Sequence, residues 1–247
     1  MRKFGLIGCP LGHSWSKRWF DAMFAQQGLN DCCFNLYELP NLNNFRHWVE
    51  SEELRGFSVT IPYKEQIIPF LDELDEAAAA IGAVNSVAVR QGRLVGYNTD
   101  APGFGQTLRP HLQPWHERAL VLGTGGASKA VGYELGRLGI EHRFVSRNPG
   151  QESDVISYEQ AYCQTAECLL IVNTTPVGMY PHIEATPWQR PDLLTDKHLC
   201  YDLVYNPEQT QFLKEASQSN AQVANGLPML HLQAQLSWSI WNESSAE

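Results

Sequence analysis

The chain has 247 residues, of which 43% are hydrophobic and 18% are charged, and its formal net charge is −9. That composition argues against a disordered chain and is enough to bury the core of one large or two modest domains. The negative charge disfavours a nucleic acid or an anionic membrane as the partner, because either requires a broad basic surface. It is compatible with a small anionic ligand, which a few well-placed Lys or Arg residues can bind.

The sequence indicates neither a targeting segment nor a metal site. The opening segment MRKFGLIGCPLGHS reaches a proline and a histidine too soon for the core of a signal peptide. No later stretch approaches the ~20 apolar residues of a membrane-spanning helix. The six cysteines form no CxxC pair and no zinc-finger spacing. We therefore expect a cytoplasmic protein with reduced thiols, no membrane partner and no metal.

An N-terminal α/β domain is predicted from the alternation of short apolar runs with helical patterns. The pattern predicts strands over residues 3–8, 33–39 and 56–61, helices over 16–29 and from 67 through 74 towards the alanines at 77–80, and a hairpin of 84–90 with 94–98. The acidic run at 72–76 is interpreted as the solvated face of the second helix.

The second half of the chain has the order of elements that a dinucleotide-binding domain requires. The pattern predicts a helix over 102–112, a strand over 119–122, a glycine turn over 123–126, a helix over 128–138 and strands over 142–145, 168–172 and 199–204. The last helix begins near Pro228 and is too apolar to stay exposed, so we expect it to pack on the N-terminal part. The predicted fold class is α/β, with a substrate domain over 1–101 completed by the helix 226–247 and a Rossmann-like doubly wound domain over 102–225.

The segment ALVLGTGGAS places a glycine turn between a strand and a helix, which is the setting of a dinucleotide fingerprint. Gly123 permits the tight turn, and Gly125 lets the backbone approach a pyrophosphate at the helix N-terminus. Ser128 replaces the third glycine of the pattern and is still small enough for close packing of helix and strand. A strand-to-helix turn without a ligand is the alternative interpretation.

The next strand ends in Ser146-Arg147-Asn148, where an NAD-binding protein carries a carboxylate. The guanidinium of Arg147 suits a 2′-phosphate, and Ser146 and Asn148 offer neutral hydrogen bonds. A carboxylate would instead repel that phosphate. We therefore expect NADP as the cofactor, with an Arg that merely reaches solvent at a strand end as the alternative.

Polar clusters follow the predicted strands of the N-terminal half. Ser14 and Ser16 lie at a helix start, where two hydroxyls beside free amides can bind a carboxylate, although one serine can simply cap the helix. Lys64 follows the third strand, Asn85 precedes the hairpin and Asp100 leaves it. Each alone is compatible with a surface turn, but together they supply a cation, a carboxylate and amide donors.

Eight segments, in this order, resemble the motifs of the shikimate dehydrogenase family: GCPLGHSWS, SVTIPYK, GAVNS, NTD, GTGGAS, NTTPVGM, YDLVYNP and NGLPMLHLQ. They run from Gly8 to Gln233 and so cover nearly the whole chain. The resemblance implies an enzyme that reversibly reduces 3-dehydroshikimate to shikimate with NADPH, in the biosynthesis of chorismate and the aromatic amino acids.

The resemblance also implies a role for each matching residue. In the substrate site, Ser14 and Ser16 hold the carboxylate, Thr60, Asn85 and Gln233 bond the ring hydroxyls, Tyr205 borders the substrate, and Lys64 and Asp100 form the catalytic pair. In the cofactor site, Gly123, Gly125, Gly126, Ala127 and Ser128 hold the phosphates, Arg147 and Asn148 lie with Ser146 in the adenosine-phosphate segment, and Thr174, Met179, Val204, Gly226 and Met229 lie near ribose and nicotinamide.

Residues 146–149 lack the second basic residue that family members often carry, which leaves use of NAD open. The enzymatic alternatives are a quinate or quinate/shikimate dehydrogenase with mixed use of NAD and NADP, and a folate dehydrogenase, which the early serines and the NTD segment disfavour. The non-catalytic alternative is a sensor of shikimate and nucleotide, which Lys64 and Asp100 disfavour because a sensor needs no proton donor. A monomer and a homodimer are equally compatible with the sequence.

Overall fold

The computed structural model describes residues 1–12, 15–150 and 153–243. Two compact units divide the chain: Met1–Thr99 with His231–Glu247, and Asp100–Leu230. None of the described helices combines the length and the apolar character that crossing a membrane requires.

The first unit is built on a mixed six-stranded sheet with the order β2-β1-β3-β5-β6-β4. Its elements are β1 (Arg2–Gly8), α1 (Trp15–Gln27), β2 (Cys32–Glu38), α2 (Phe45–Glu52), β3 (Leu54–Val59), α3 (Tyr63–Gln66), β4 (Glu73–Leu74), α4 (Glu76–Ile81), β5 (Ser86–Arg90) and β6 (Arg93–Tyr97). β1 is parallel to β2 and β3, whereas β5 is antiparallel to both β3 and β6. The ends of β1, β3 and β6 and the start of β5 therefore share one edge, here called the carboxyl edge of the first sheet.

Both faces of the first sheet are covered, because successive side chains of a strand point to opposite faces. Phe4 of β1 belongs to one cluster, with Phe20 of α1 and Trp241 from the C-terminal helix. The rings of Phe4 and Trp241 stack with their centroids 5.4 Å apart. Ile7 of the same strand belongs to the opposite cluster, which includes Phe57. The long apolar C-terminal helix is thus buried as part of the core of this unit.

The second unit contains a parallel six-stranded sheet with the order β12-β11-β10-β7-β8-β9. Its elements are α5 (Asp100–Leu108), β7 (Arg118–Leu122), α6 (Gly126–Arg137), β8 (Glu141–Val145), β9 (Val155–Ile156), α7 (Tyr158–Gln164), β10 (Leu170–Asn173), β11 (Leu199–Asp202), α8 (Gln211–Gln218), β12 (Gln222–Asn225) and the beginning of α9 (Leu227–Asn242). The strand order reverses between β7 and β10, as in a doubly wound nucleotide-binding sheet. The prediction of an α/β fold with a Rossmann-like sheet is confirmed.

The central strands of this sheet are continuous apolar runs because both of their faces are buried. Leu120 of β7 and Ile171 of β10 belong to one cluster, whereas Val121 and Val172 belong to the cluster on the other face. Such runs position the polar residues that follow each strand at the carboxyl edge of the second sheet.

The predicted helix from residue 67 towards the alanines at 77–80 is wrong. A single 3-10 turn (Ile68–Phe70), the short strand β4 and the six-residue helix α4 occupy this stretch instead. The carboxylate of Asp72 accepts a hydrogen bond from Leu94 N at 2.7 Å and pairs with Arg46 at 2.6 Å. Asp75 caps α4 by accepting from Ala78 N. The acidic run is therefore used in strand pairing and capping and does not form a solvated helix face.

Candidate functional site

The segments that follow β1 and β3 are bonded to each other at the carboxyl edge of the first sheet. Thr60 N donates to Ile7 O at 2.9 Å, and Cys9 N donates to Ile61 O at 3.1 Å. A Cβ at Gly8 would collide with Thr60 Cγ2, so only glycine fits between the two segments. The sequence-predicted residue Thr60 thus lies where parallel strands bring their carboxyl ends together, the usual place for a ligand.

Asn85 and Gln233 meet at the same edge. Asn85 is held by the backbone of β3 and β6, because its carbonyl accepts from Val59 N at 2.8 Å and its amide donates to Tyr97 O at 3.1 Å. Its side-chain Nδ2 reaches Gln233 Oε1 at 3.5 Å. Two of the residues predicted to bond ring hydroxyls are therefore neighbours, although 148 positions separate them in the chain.

Lys64 is joined to this cluster through its backbone. It lies in the one-turn helix α3, and its carbonyl accepts from Val84 N at 2.7 Å, directly before Asn85. The Lys64 side chain is half-buried. Asp100 is the buried first residue of α5 and belongs to the second unit, whereas Lys64 belongs to the first.

Ser14 lies outside the described residues, whereas Ser16 is half-buried in the first turn of α1. Trp15 stacks on His231 with ring centroids 4.5 Å apart. This stack fixes the start of α1 against the helix that carries Gln233.

The glycine turn of the second unit lies at the point where the strand order reverses. Gly123 has φ +116°, and a Cβ there would lie 2.8 Å from Thr174 Oγ1 and 3.1 Å from Ser128 Oγ. Thr174 Oγ1 donates to Leu122 O at 2.6 Å, so the Ser128 hydroxyl donates to Thr174 Oγ1 at 2.7 Å. Ser128 occupies the third position of the glycine pattern, and its hydrogen bond to Thr174 shows how a small serine is accommodated there in place of glycine.

The turn then presents open backbone to a ligand. Gly125 is exposed and precedes α6, and no atom lies within 4 Å of a Cβ built at this residue. Gly126 and Ala127 form the first turn of α6, a helix of 12 residues. Exposed amides at the N-terminus of such a helix fit the pyrophosphate of a dinucleotide.

The end of β8 carries the predicted adenosine segment. Arg147 and Asn148 are exposed, and Ser146 Oγ accepts from Asn148 N at 3.2 Å. Among the described residues no acidic side chain pairs with Arg147. Burial raises the pKa of Tyr158, and the positive charge of Arg147 opposes that rise, so the guanidinium lies within electrostatic reach of this ring. An exposed cation at this position fits a 2′-phosphate.

The other predicted cofactor residues follow the strands on the opposite side of the reversal. Val204 is buried after β11, and Gly226 follows β12, where a Cβ would collide with Leu203 O. Met229 is buried, whereas Met179 is 44% exposed. Tyr205 is the residue after Val204 in the segment that follows β11, and burial raises its pKa. The predicted cofactor residues of this half thus follow the strands that end at the carboxyl edge of the second sheet.

One polar residue of this edge was not selected from the sequence. Asp202 ends β11 opposite Asn173 of β10, and both side chains are fully buried. Its signal in the sequence is a carboxylate at the end of the otherwise apolar strand LCYD. Within the described residues, no group of three or more His, Cys, Asp or Glu side chains is placed to hold a metal ion.

Three comparisons bear on this arrangement. The family model described as "Shikimate dehydrogenase substrate binding domain" matches residues 6–87. A protein of Desulforamulus reducens named "Shikimate dehydrogenase (NADP(+))" is 35% identical over 98% of this chain and 90% of the relative.

Two solved structures are similar over nearly the whole chain. Shikimate 5-dehydrogenase from Thermus thermophilus, in complex with NADP(H) and shikimate, is 33% identical with a TM-score of 0.87, and the match covers 99% of this chain and 94% of that one. Quinate dehydrogenase from Corynebacterium glutamicum, in complex with NAD, is 25% identical with a TM-score of 0.87 over 98% of this chain and 94% of that one.

Proposed function

The chain belongs to the shikimate dehydrogenase family, and from that premise we propose that it catalyses the reversible, NADP-dependent reduction of 3-dehydroshikimate to shikimate. The observation that carries the proposal is the position of the candidate residues. Thr60 and Asn85 lie at the carboxyl edge of the first sheet with Gln233 beside Asn85, and the glycine turn and Thr174 lie at the carboxyl edge of the second sheet. This is the edge at which α/β sheets bind small ligands.

The substrate is a cyclohexene ring that carries a carboxylate and hydroxyl groups. We assign its hydroxyls to Thr60, Asn85 and Gln233, and its carboxylate to Ser14 and Ser16. Asn85 Nδ2 lies 3.5 Å from Gln233 Oε1, so two of the three residues assigned to the ring hydroxyls are neighbours. Tyr205 borders the ring in this assignment.

The cofactor is assigned to the second unit. Gly123, Gly125, Gly126, Ala127 and Ser128 hold the pyrophosphate, because the turn offers open backbone and helix amides. Arg147 with Ser146 and Asn148 takes the 2′-phosphate, which selects NADP over NAD. We place Thr174, Met179, Val204, Gly226 and Met229 on the ribose and nicotinamide side, because they follow β10, β11 and β12.

The chemistry needs a hydride and a proton. When bound, NADPH supplies the hydride. We assign the proton to the ammonium of Lys64, which donates it to the oxygen that becomes the new hydroxyl and withdraws it in the reverse direction. The carboxylate of Asp100 is assigned to orient that ammonium. Acid–base assistance of this kind contributes about 10²–10⁴ in rate.

This activity places the protein in the biosynthesis of chorismate and the aromatic amino acids. We propose that it works in the cytoplasm, as a monomer or a homodimer, with shikimate and 3-dehydroshikimate as its partners and with neither nucleic acid nor membrane.

The test follows NADPH absorbance at 340 nm with purified protein and 3-dehydroshikimate, 3-dehydroquinate or no ketone. We expect oxidation of NADPH with 3-dehydroshikimate only. Turnover of 3-dehydroquinate at a comparable rate would make the protein a dual quinate/shikimate dehydrogenase. Binding of NADPH and shikimate without turnover would make it a sensor and overturn the proposal.

A further inference from the structure

Asp202 is a fully buried carboxylate that the proposed reaction does not use. It is the last residue of β11 and pairs in register with Asn173, the last residue of β10. Both strands end at the carboxyl edge of the second sheet, where their following loops carry candidate cofactor residues. A buried acid at such a position requires hydrogen-bond partners, because an unpaired charge is costly to bury.

Three donors from three different segments surround the carboxylate. Its Oδ1 accepts from Asn173 Nδ2 at 2.8 Å and from Val204 N at 2.9 Å. Its Oδ2 accepts from Thr210 Oγ1 at 2.6 Å, and Thr210 caps α8. A single oxygen, Oδ1, therefore joins the end of β10 to the loop after β11.

The bonds continue from Asn173 into the loop after β10. Asn173 Oδ1 accepts from Thr175 N at 3.0 Å and from Thr175 Oγ1 at 2.7 Å. Asn173 Nδ2 also reaches Val177 O at 3.4 Å. The side chain of Asn173 thus shapes the segment between Thr174 and Met179, and Asp202 fixes the orientation of Asn173.

The groups around Asp202 are uncharged. Asn173 faces it from β10 and Thr210 from α8, and on its own strand the Cys200 thiol is its neighbour. Among the described residues, the groups that act on its pKa include no Lys, Arg or His. Burial raises the pKa of Asp202 to about 6. A proton on Oδ2 can be donated to Thr210 Oγ1 if that hydroxyl reverses, so Oδ1 remains an acceptor in either protonation state.

A doubly wound sheet binds one nucleotide with each half. Arg147, which is assigned to the 2′-phosphate of the adenosine, follows β8. The half formed by β7, β8 and β9 therefore takes the adenosine. The half formed by β10, β11 and β12 then takes the nicotinamide nucleotide. Asp202 lies in this second half, where it bonds Asn173 at the end of β10 and Val204 in the loop after β11.

We infer that Asp202 is a positioning residue for the nicotinamide half of NADP(H), because its Oδ1 locks the loop after β10 to the loop after β11. This inference rests on the proposed function, since it requires that the unit binds NADP(H). Loss of the lock leaves buried donors without an acceptor and loosens both loops, which then keep only backbone bonds such as Leu203 N to Asn173 O at 2.9 Å, while the glycine turn and Arg147 stay in place.

Equilibrium binding of two ligands tests the inference. NADP⁺ contacts both halves of the sheet, whereas adenosine 2′,5′-bisphosphate carries only the adenosine half. We expect Asp202→Ala to weaken NADP⁺ by about tenfold or more and to leave the bisphosphate within about twofold. Asp202→Asn keeps Oδ1 and is expected to restore NADP⁺ affinity to within about threefold of the parent.

Glu134→Gln is the matched control, because Glu134 is an almost equally buried acid of the same unit that pairs with Arg109 and Arg137. Its affinities for both ligands are expected to be unchanged. If Asp202→Ala fails to fold in a thermal-unfolding assay, Asn173→Ser takes its place, since it removes the same bond from the other strand.

Equal weakening of NADP⁺ and the bisphosphate, or no weakening of NADP⁺, would overturn the positioning role. An unmodified protein that binds neither ligand would overturn the proposed function itself, and the inference with it. Selective loss for NADP⁺, restored by Asp202→Asn, supports both.

Discussion

The side chain of Asn85 closes a ring of hydrogen bonds around Thr99, the residue before Asp100. Asn85 Oδ1 accepts from Thr99 N at 2.7 Å, and Asn85 Nδ2 donates to Thr99 Oγ1 at 2.9 Å. Thr99 Oγ1 also lies 3.2 Å from Ser237 Oγ of α9. Asn85 therefore fixes the chain at the point where it leaves β6, in addition to its proposed contact with a substrate hydroxyl.

Replacement of Asn85 by Ala should lower the free energy of unfolding by about 1–3 kcal/mol, because the buried amide of Thr99 loses its acceptor. Ser86→Ala is the matched control. Its buried hydroxyl has no hydrogen-bond partner among the described residues, so its removal should leave stability unchanged or raise it. Urea unfolding of both variants measures the difference. Equal losses of stability in the two variants would contradict a stabilising role for the hydrogen bonds between Asn85 and Thr99.

Lys64→Ala should lower kcat by at least about 10²-fold and change KM for shikimate little, because the proposed role of Lys64 is proton transfer. Lys214→Ala, which removes an exposed lysine of α8, is the control and should behave like the parent. Steady-state kinetics in the direction of shikimate oxidation measure both constants. A Lys64→Ala enzyme with near-normal kcat would exclude Lys64 from the chemistry.

Local signals in the sequence predicted much of the fold. Residues 91–92 form the turn of the β5–β6 hairpin with φ of +51° at Gln91 and +80° at Gly92, as a two-residue hairpin requires. Ser157 and Gln160 form a capping box at the start of α7, a signal that was present in the sequence but not used. The 67–80 region was mispredicted because the role of Asp72 depends on Leu94, which is distant in sequence.

The candidate site also has one part that could be predicted from the sequence and one part that could not. The glycine turn could be predicted because neighbouring residues form it, and the structure places Gly123 and Ser128 against Thr174. Asp202 could not be selected from its neighbours alone. Its significance arises from the pairing of β11 with β10, which brings Asn173 to its side chain.

Gly125→Ala should weaken NADP⁺ binding by about tenfold or more without loss of stability. Nothing lies within 4 Å of a Cβ at Gly125, and its φ of −82° suits alanine, so the added methyl meets only the bound pyrophosphate. Gly136→Ala lies at an equally open position within α6 and should stabilise the protein by about 0.5–1 kcal/mol while leaving affinity intact. Calorimetric titration and thermal unfolding report the two effects. Unchanged NADP⁺ affinity in Gly125→Ala would remove this turn from the cofactor site.

Arg147→Gln should lower kcat/KM for NADPH by about tenfold or more and leave kcat/KM for NADH nearly unchanged, because only NADPH carries the 2′-phosphate. Arg190→Gln is the control, since Arg190 is a surface arginine of the same unit that pairs with Asp192. If the unmodified enzyme has an equal kcat/KM for NADH and NADPH, the proposed selectivity for NADP is wrong.

Two buried histidines of the second unit make the same contacts in two similar turns. His116 Nδ1 accepts from Gln113 N, and His198 Nδ1 accepts from Thr195 N, both at 3.0 Å. Their Nε2 atoms lie 3.0 Å from Lys197 O and Thr165 O, respectively, and donate to them. Each ring is therefore neutral, with its proton on Nε2, and a second proton on Nδ1 would face an amide hydrogen.

Stability should fall as the pH drops below about 6.5, the ordinary histidine value that applies to the unfolded chain. Burial lowers the pKa of both His116 and His198 in the folded protein, so below that pH the unfolded chain binds protons that the folded protein does not. Urea unfolding at pH 7.5 and 5.5 measures the loss. A double variant, His116→Asn with His198→Asn, keeps an acceptor near each amide and should be less stable at pH 7.5 but lose less on acidification. The raised pKa of Asp202 acts in the opposite direction below about pH 6, but it is common to both proteins and cancels in their difference. An equal loss in the double variant would assign the acid sensitivity to other groups.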